Sequence, residues 1–233
     1  NYTVALSGTA AVVKAALDGT FAASYEGNVT ITDGTSDTIQ AADLNTIAGD
    51  TDGTVTVSNA VIISGTAAAI ATAAGNVTAS TAKISVGDAH TINNLKTIND
   101  ETSGEITLTN YAVDLTGNSD VVAAALGGTF ADTYTGDVSL SDAHTINELK
   151  TINDQTTGTI TLTNYAVALS GTAAVVKAAL DGTFADTYTG NVTISDTAGQ
   201  TVQAADLNTI AGDTDGSVTV SNAVIISGTA AVI

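Results

Sequence analysis

The chain has 233 residues, lacks Cys, Met, Pro, Trp and Arg, and sets 24 acids against five lysines for a net charge of −19. That balance repels nucleic acid and anionic lipid, which excludes both as expected partners, while 44% apolar content is too high for a disordered polyanion. No apolar run approaches the ~18 residues of a membrane span, and no signal-peptide pattern opens the sequence, which does not begin with Met.

In chain order, strands of period two are predicted at 29–31, 55–57, 84–86, 106–108, 138–140, 160–162, 192–194 and 218–220, apolar on one face and hydroxyl-bearing on the other. The strands belong to repeats. Residues 1–70 recur at 164–233 with about a dozen changes, and weaker copies lie between. Short coils run 28–53, 83–104, 137–158 and 191–216; long coils run 54–82, 105–136 and 159–190. Residues 1–27 and 217–233 are incomplete long coils, so 1–233 is expected to be a single repeat array with both ends in mid-coil, a segment of a longer one.

Each strand leads into a stretch with helical character. "TAAVVKAALDG" (172–182) is Ala-rich, with a Thr cap at its start and Gly at its end. "TINELKTIND" (145–154) spaces Ile146, Leu149 and Ile152 by three, and "AADLNTIAGD" (204–213) places Leu207 and Ile210 likewise. A small turn follows each, at Gly53, Gly104, Gly136, Gly158, Gly190 and Gly216. Strand, helical return and parallel strand make a crossover, which is right-handed almost without exception. The expected fold is therefore an α/β solenoid of right-handed coils, with one parallel β-sheet, short helical returns and alternating long and short coils. An all-β parallel β-helix, with short strands in place of helices, is the alternative.

The residue after each strand reads Asp33, Asn59, Asp88, Asn110, Asp142, Asn164, Asp196, Asn222. Stacked at about 4.8 Å in one sheet, eight carboxylates would repel; alternating amide and acid doubles the spacing and lets each Asn donate to a neighbouring carboxylate. The two coil lengths would likewise send successive helices to different positions, because packed helices need about 8–10 Å. The aromatics all lie in long coils, as the pairs Phe21/Tyr25, Phe130/Tyr134 and Phe184/Tyr188 and the single Tyr2, Tyr111 and Tyr165. Recurrence by unit favours core over a sugar-binding platform.

No residue pattern calls for catalysis or a cofactor. His90 and His144 sit in the same "DAHTIN" context, each with an Asp two residues earlier, and read as structural turn residues rather than members of a triad. "AGDTDG" at 48–53 and 211–216 brings Asp50, Asp52, Asp213 and Asp215 beside Gly turns. Solvated turn acids is the preferred reading, with Ca2+ as the metal alternative. Thr30, Thr56, Thr107, Thr161, Thr193 and Thr219 would line one outward column. Thr32, Thr109 and Thr163 share the next with Ser58, Ser141, Ser195 and Ser221. Such an array is similar to an ice-binding face, although the serines and Gly87 interrupt its methyl pattern. "NVT" at 28, 76 and 191 matches the glycosylation acceptor signal.

The stretch "ADLNTIAGDTDGTVTVSNAVIISGTAAAIATA" (42–73) and its copy near the C-terminus resemble the repetitive tracts of very large secreted or cell-surface proteins of marine bacteria, including cyanobacteria. The resemblance implies an extracellular scaffold, matrix, adhesin stalk or fibre. The absence of sulfur and the scarcity of cationic cleavage sites for trypsin-like proteases point to the same location. The expectation is a non-enzymatic structural module, stacking end to end into filaments; an ice- or carbohydrate-binding surface on the Thr-rich face is the second reading.

Overall fold

A computed structural model describes residues 2–229. The chain divides into two compact units, Asn1–Tyr111 with Gly128–Asp132, and Ala112–Gly127 with Thr133–Ile233. In the first unit, β1 (Leu6–Gly8) and α1 (Ala10–Leu17) precede β2 (Val29–Ile31), β3 (Thr38–Gln40) and α2 (Ala41–Gly49). β4 (Val55–Val57), β5 (Ile62–Gly65), α3 (Ala67–Asn76), β6 (Val77–Thr78), β7 (Lys83–Val86), α4 (Ile92–Glu101) and β8 (Ile106–Leu108) follow. The second unit holds β9 (Leu115–Gly117), α5 (Ser119–Leu126), β10 (Val138–Leu140), α6 (Ile146–Gln155), β11 (Ile160–Thr161) and β12 (Leu169–Gly171). It continues with α7 (Ala173–Leu180), β13 (Val192–Ile194), β14 (Thr201–Gln203), α8 (Ala204–Gly212), β15 (Val218–Val220) and β16 (Ile225–Ser227).

The result is an α/β protein of repeating β-α units whose strands are all parallel. The eight predicted strands form, and they pair two by two in the expected register: Val29↔Val55, Ile84↔Ile106, Val138↔Ile160 and Val192↔Val218. They do not share one sheet. The first unit has two sheets, ordered β1-β2-β4-β6 and β3-β5-β7-β8; the second has three, β9-β10-β11, β12-β13-β15 and β14-β16. The cause is a second strand in each long segment, and in the short segments 28–53 (β3) and 191–216 (β14), which starts another sheet or extends it. Ile63 of β5 pairs with Ile84, Leu115 of β9 with Val138, and Leu169 of β12 with Val192.

The return stretches are helices, so the all-β alternative does not hold. Thr91 and Thr145 open α4 and α6 with capping boxes closed by Asn94 and Glu148. The Oγ1 atoms of Thr66 and Thr172 accept from the amides of Ala69 and Val175 at the starts of α3 and α7. The three-residue spacing holds in part: Leu149 and Ile152 are buried in α6 and Ile210 in α8, while Ile146 and Leu207 are half-buried; the equivalent helix α2 buries both Leu44 and Ile47. Each such Leu or Ile withdrawn from water contributes about 1.5–3 kcal/mol before the entropy of ordering is counted. Consecutive helices pack directly, α1 to α4 in the first unit and α5 to α8 in the second, so the two segment lengths do not separate them. Alanine on the contact faces does part of that work. Ala10, Ala41, Ala67 and Ala73 are buried in α1–α3, and Ala125, Ala173 and Ala179 in α5 and α7, which lets neighbouring axes approach closely.

Each short segment closes on Thr-x-Gly. The Thr51 hydroxyl donates to the carbonyl of Gly27 (2.9 Å) and accepts from the amide of Gly53 (3.0 Å). Thr102 joins Ala82 to Gly104 in the same way, Thr156 joins Gly136 to Gly158, and Thr214 joins Gly190 to Gly216. A Cβ on Gly53, Gly104, Gly158 or Gly216 would stand 2.1–2.3 Å from the carbonyl oxygen of the segment before it. These glycines are required by close backbone approach, since none has a positive φ.

Candidate functional site

The Asx positions resolve into two different devices, and the predicted amide–carboxylate ladder does not form. Asp33 Oδ2 accepts from the amide of Ala10 (2.7 Å), Asp88 Oδ1 from Ala67 (2.7 Å), Asp142 Oδ1 from Ser119 (2.7 Å) and Asp196 Oδ2 from Ala173 (2.8 Å). These amides begin α1, α3, α5 and α7. Each acid of a short segment therefore reaches back to cap the helix of the preceding long segment, where a carboxylate meets unsatisfied N–H groups and the positive end of the dipole. The Asn positions act as donors or local turns. Asn59 and Asn222 donate through Nδ2 to the backbone carbonyls of Asp33 and Asp196 (2.7 and 2.8 Å), and Asn164 Oδ1 accepts from its own segment at Ala166 (2.9 Å).

The histidines are buried, at 4% exposure for His90 and 5% for His144. His144 Nε2 lies 3.1 Å from the Tyr188 hydroxyl, which itself donates its one proton to the Val167 carbonyl (2.6 Å). Nε2 must then carry the donor hydrogen, which leaves Nδ1 as the lone-pair nitrogen. Nδ1 is buried with no hydrogen-bond partner among the described residues. Burial lowers the His144 pKa, against the opposing pull of Glu148 and Asp142; burial lowers that of His90 too, against Asp88. The Tyr134 and Tyr188 hydroxyls are pushed well above the ordinary tyrosine range by burial.

The aromatic pairs split in role. Tyr25, Tyr134 and Tyr188 are core residues whose hydroxyls donate to the carbonyls of Val4, Val113 and Val167. Phe130 and Phe184 are half-buried and Phe21 is exposed, so core describes the tyrosines more fully than the phenylalanines.

The "AGDTDG" acids do not converge. Asp50 and Asp213 terminate α2 and α8, while Asp52 and Asp215 point outward and donate backbone N–H groups to the carbonyls of Tyr25 and Tyr188 (2.7 and 2.8 Å). Among the described residues no three His, Cys, Asp or Glu side chains gather as metal ligands. Asp213 borders an open hollow of about 390 Å³ with Phe184, Asp186 and Tyr188. Its carboxyl pKa is raised by burial and by Asp181, against Lys177.

The hydroxyl columns are shorter than expected because the sheets are. Ser7, Thr30, Thr56 and Thr78 stand side by side in one sheet; elsewhere the outward column holds three hydroxyls, Ser64/Ser85/Thr107, Thr116/Ser139/Thr161 and Ser170/Thr193/Thr219. In the next column Ser58, Thr109, Thr163 and Ser221 donate to the carbonyls of Ile31, Val86, Asp142 and Ile194. Those hydroxyls join segments together. Of the "NVT" asparagines, Asn28 and Asn191 accept from the amides of Thr54 and Ser217, while Asn76 is the exposed last residue of α3. All five lysines are ion-paired, with Asp43, Glu105, Asp100, Asp154 and Asp181.

The Thr-x-Gly joints and the histidine–tyrosine relay were missed from sequence, although Thr and Gly recur two apart at the close of every short segment. No described helix is long and apolar enough to cross a membrane. No protein-family model, curated protein or solved structure matches the chain.

Proposed function

We propose that the chain is a structural repeat module: an α/β solenoid of right-handed coils that acts, outside the cell or on its surface, in a fibre, matrix, surface layer or adhesin stalk. It is not an enzyme in this reading, it avoids nucleic acid and membrane interiors, and it stacks end to end into filaments. The resemblance to repetitive tracts of large secreted bacterial proteins points the same way.

One observation carries the proposal. Identical letters are covered or bare according to whether another segment lies on them. Ile63 is 4% exposed beneath β7, while its copy Ile226 is 46% exposed. The exposed large hydrophobics among the described residues are Val4, Val12, Phe21, Ile225 and Ile226, all in the first and last segments. Each inner segment gains from apposition to its neighbours, because apolar area and open strand edges are both removed from water. Sedimentation and electron microscopy test this. Filaments that lengthen with concentration are expected; dispersed monomers at high concentration would count against self-stacking.

The Thr30–Thr56–Thr78 row supports a second reading, binding of ice or of a carbohydrate by the outward sheet face. Thermal hysteresis, abolished by Thr56→Lys, is the expected sign of the ice-binding form; its absence removes that form.

A further inference from the structure

We propose that the hollow beside the end of α7, between the 183–188 loop and Asp213, binds an organic ammonium ion: a cationic nitrogen on a short apolar stem. The site is additional to the repeat-module reading and does not depend on stacking.

The hollow lies within the array. Segment 159–190 carries α6 on one side of α7 and α8 on the other. The space is open, of about 390 Å³, and its walls are of two kinds. One is apolar: Leu180, Gly182 and the rings of Phe184 and Tyr188, whose centroids stand 6.4 Å apart at a tilt of 55°. The Phe184 backbone is held in a parallel bridge to Ile160, and the Tyr188 hydroxyl is spent on the Val167 carbonyl and His144. The other wall is negative. Asp186 is exposed, and Asp213 sits at the C-terminus of α8. Leu180 ends α7, so two helix C-termini add partial negative charge where carboxylates already stand. No lysine lines the hollow, and nearby Lys177 is engaged with Asp181 at 3.3 Å.

Asp213 is the residue that such a guest satisfies. Its Oδ2 is buried, and no donor among the described residues reaches it. Burial and Asp181 raise its pKa, against Lys177, which marks a carboxylate held short of positive charge. A bare divalent ion does not suit the place. Calcium takes about six to eight oxygen ligands, and no three acids or histidines gather among the described residues. An ammonium brings its own N–H donors to the carboxylates, and its stem covers the ring of Phe184, whose π face also attracts the charge.

The sister copies argue against a purely structural role. Residues 1–27 and 164–190 differ at four positions, and two of these, Ala23/Asp186 and Ser24/Thr187, line the hollow. The third Phe-x-x-x-Tyr copy has Asp132 but places Gln155 where Asp213 stands. Aspartate thus occupies both positions in one copy of three, whereas a requirement of the fold would hold both acids in every copy.

The test titrates the isotope-labelled full chain with n-butylammonium chloride, followed by NMR, beside n-butanol and sodium chloride at the same ionic strength. Saturable shifts centred on Phe184, Asp186 and Asp213 are expected, with a dissociation constant of about 1–10 mM, and the Asp213 carboxyl pKa should fall on binding. Asp186→Ala and Asp213→Gln install what sister copies carry, so both chains fold. Each should weaken binding about threefold or more, as should Phe184→Leu. Asp213→Gln should leave the melting temperature unchanged or higher, which separates a binding carboxylate from a structural one. No saturable shift up to about 50 mM, equal shifts with n-butanol, equal shifts with sodium chloride, or parent affinity in both aspartate variants would overturn the proposal. Nα-acetyl-lysine methylamide distinguishes the sources of the ammonium. Binding tighter than that of n-butylammonium assigns the site to a lysine of a partner polypeptide, and equal or weaker binding assigns it to a free amine; either upholds the site.

Discussion

Gly158→Ala probes one of the close backbone joints between segments. The added methyl would stand 2.1 Å from the Gly136 carbonyl oxygen, 2.5 Å from its carbon and 2.9 Å from the Asp137 nitrogen, whereas ordinary contact begins near 3.4 Å. All three are backbone atoms, so no rotamer change relieves the clash, and the two segments must part by about 1 Å. Four hydrogen bonds cross or brace that gap: Thr156 Oγ1 to the Gly136 carbonyl (3.0 Å), the Gly158 amide to Thr156 Oγ1 (3.0 Å), the Thr159 amide to Asp137 Oδ1 (2.7 Å) and the Val138 amide to the Thr159 carbonyl (2.9 Å). Loss of two at about 1 kcal/mol each, added to about 1–3 kcal/mol of overpacking, gives a destabilisation of about 3–5 kcal/mol. At about 2–4 °C per kcal/mol for a domain of this size, the melting temperature should fall by about 6–20 °C. Gly75→Ala is the control: it lies in α3, a Cβ there meets nothing within 4 Å, and a gain of about 0.5 kcal/mol is expected. Urea unfolding followed by circular dichroism measures both. A Gly158→Ala chain within 0.5 kcal/mol (roughly the scatter of surface substitutions) of the parent would refute the close-approach argument, as would a Gly75→Ala chain equally destabilised.

Asp142→Ala removes the cap on the Ser119 amide and should cost about 1–2 kcal/mol, whereas Asp142→Asn keeps an acceptor and forfeits only the charge, about 0.3–1 kcal/mol; denaturation midpoints in the reverse order would contradict the cap. Tyr188→Phe leaves the Val167 carbonyl and His144 Nε2 without their shared partner and should destabilise by about 1–3 kcal/mol, read by the same assay. The His144 pKa is lowered in the fold, so at mildly acidic pH the unfolded chain binds the more protons; stability due to neutral His144 is complete above the ordinary histidine pKa of 6.5 and is lost as pH falls below it. The parent should therefore lose more stability between pH 7 and 5 than His144→Gln, a comparison that cancels the carboxylates common to both; parallel pH profiles would remove the histidine from the account. Because the "AGDTDG" acids do not converge, melting curves in millimolar calcium and in chelator are expected to coincide, and a calcium-dependent rise would reopen that site.

The helices were legible because their signals are local. Thr145 and Glu148 three residues apart announce a helix start, and Leu149 and Ile152 mark its buried stripe. The first strand of each segment was legible for a similar reason, since Val-Thr-Ile and its variants alternate cleanly. The second strand of the long segments was not: Leu115-Thr-Gly and Leu169-Ser-Gly have one inward side chain each, too few to show a period. Missing them merged separate sheets into one and stacked in a single column eight Asx residues that meet at most in pairs, as Asn59 with Asp33 and Asn222 with Asp196. The alternation of Asp and Asn was itself visible. Its cause was not, because the partner of Asp142 is a backbone amide 23 residues earlier, and an amide leaves no mark in the sequence. The Thr-x-Gly joints did leave one, and were overlooked because glycine was credited to turns rather than to the carbonyl pressed against it.

The reach-back caps bear on how such a chain can change length. A carboxylate on a short segment always serves a helix on the long one before it, and two of the asparagines serve the backbone of the short segment before them. Excising or duplicating a short–long pair by unequal crossing-over leaves every donor facing its accustomed acceptor. Dropping a lone segment would bring an amide to a helix start made for an acid. Genetic drift in copy number is thus physically neutral only in steps of two, and the near-identity of 1–70 and 164–233 is the kind of scar that such exchanges leave.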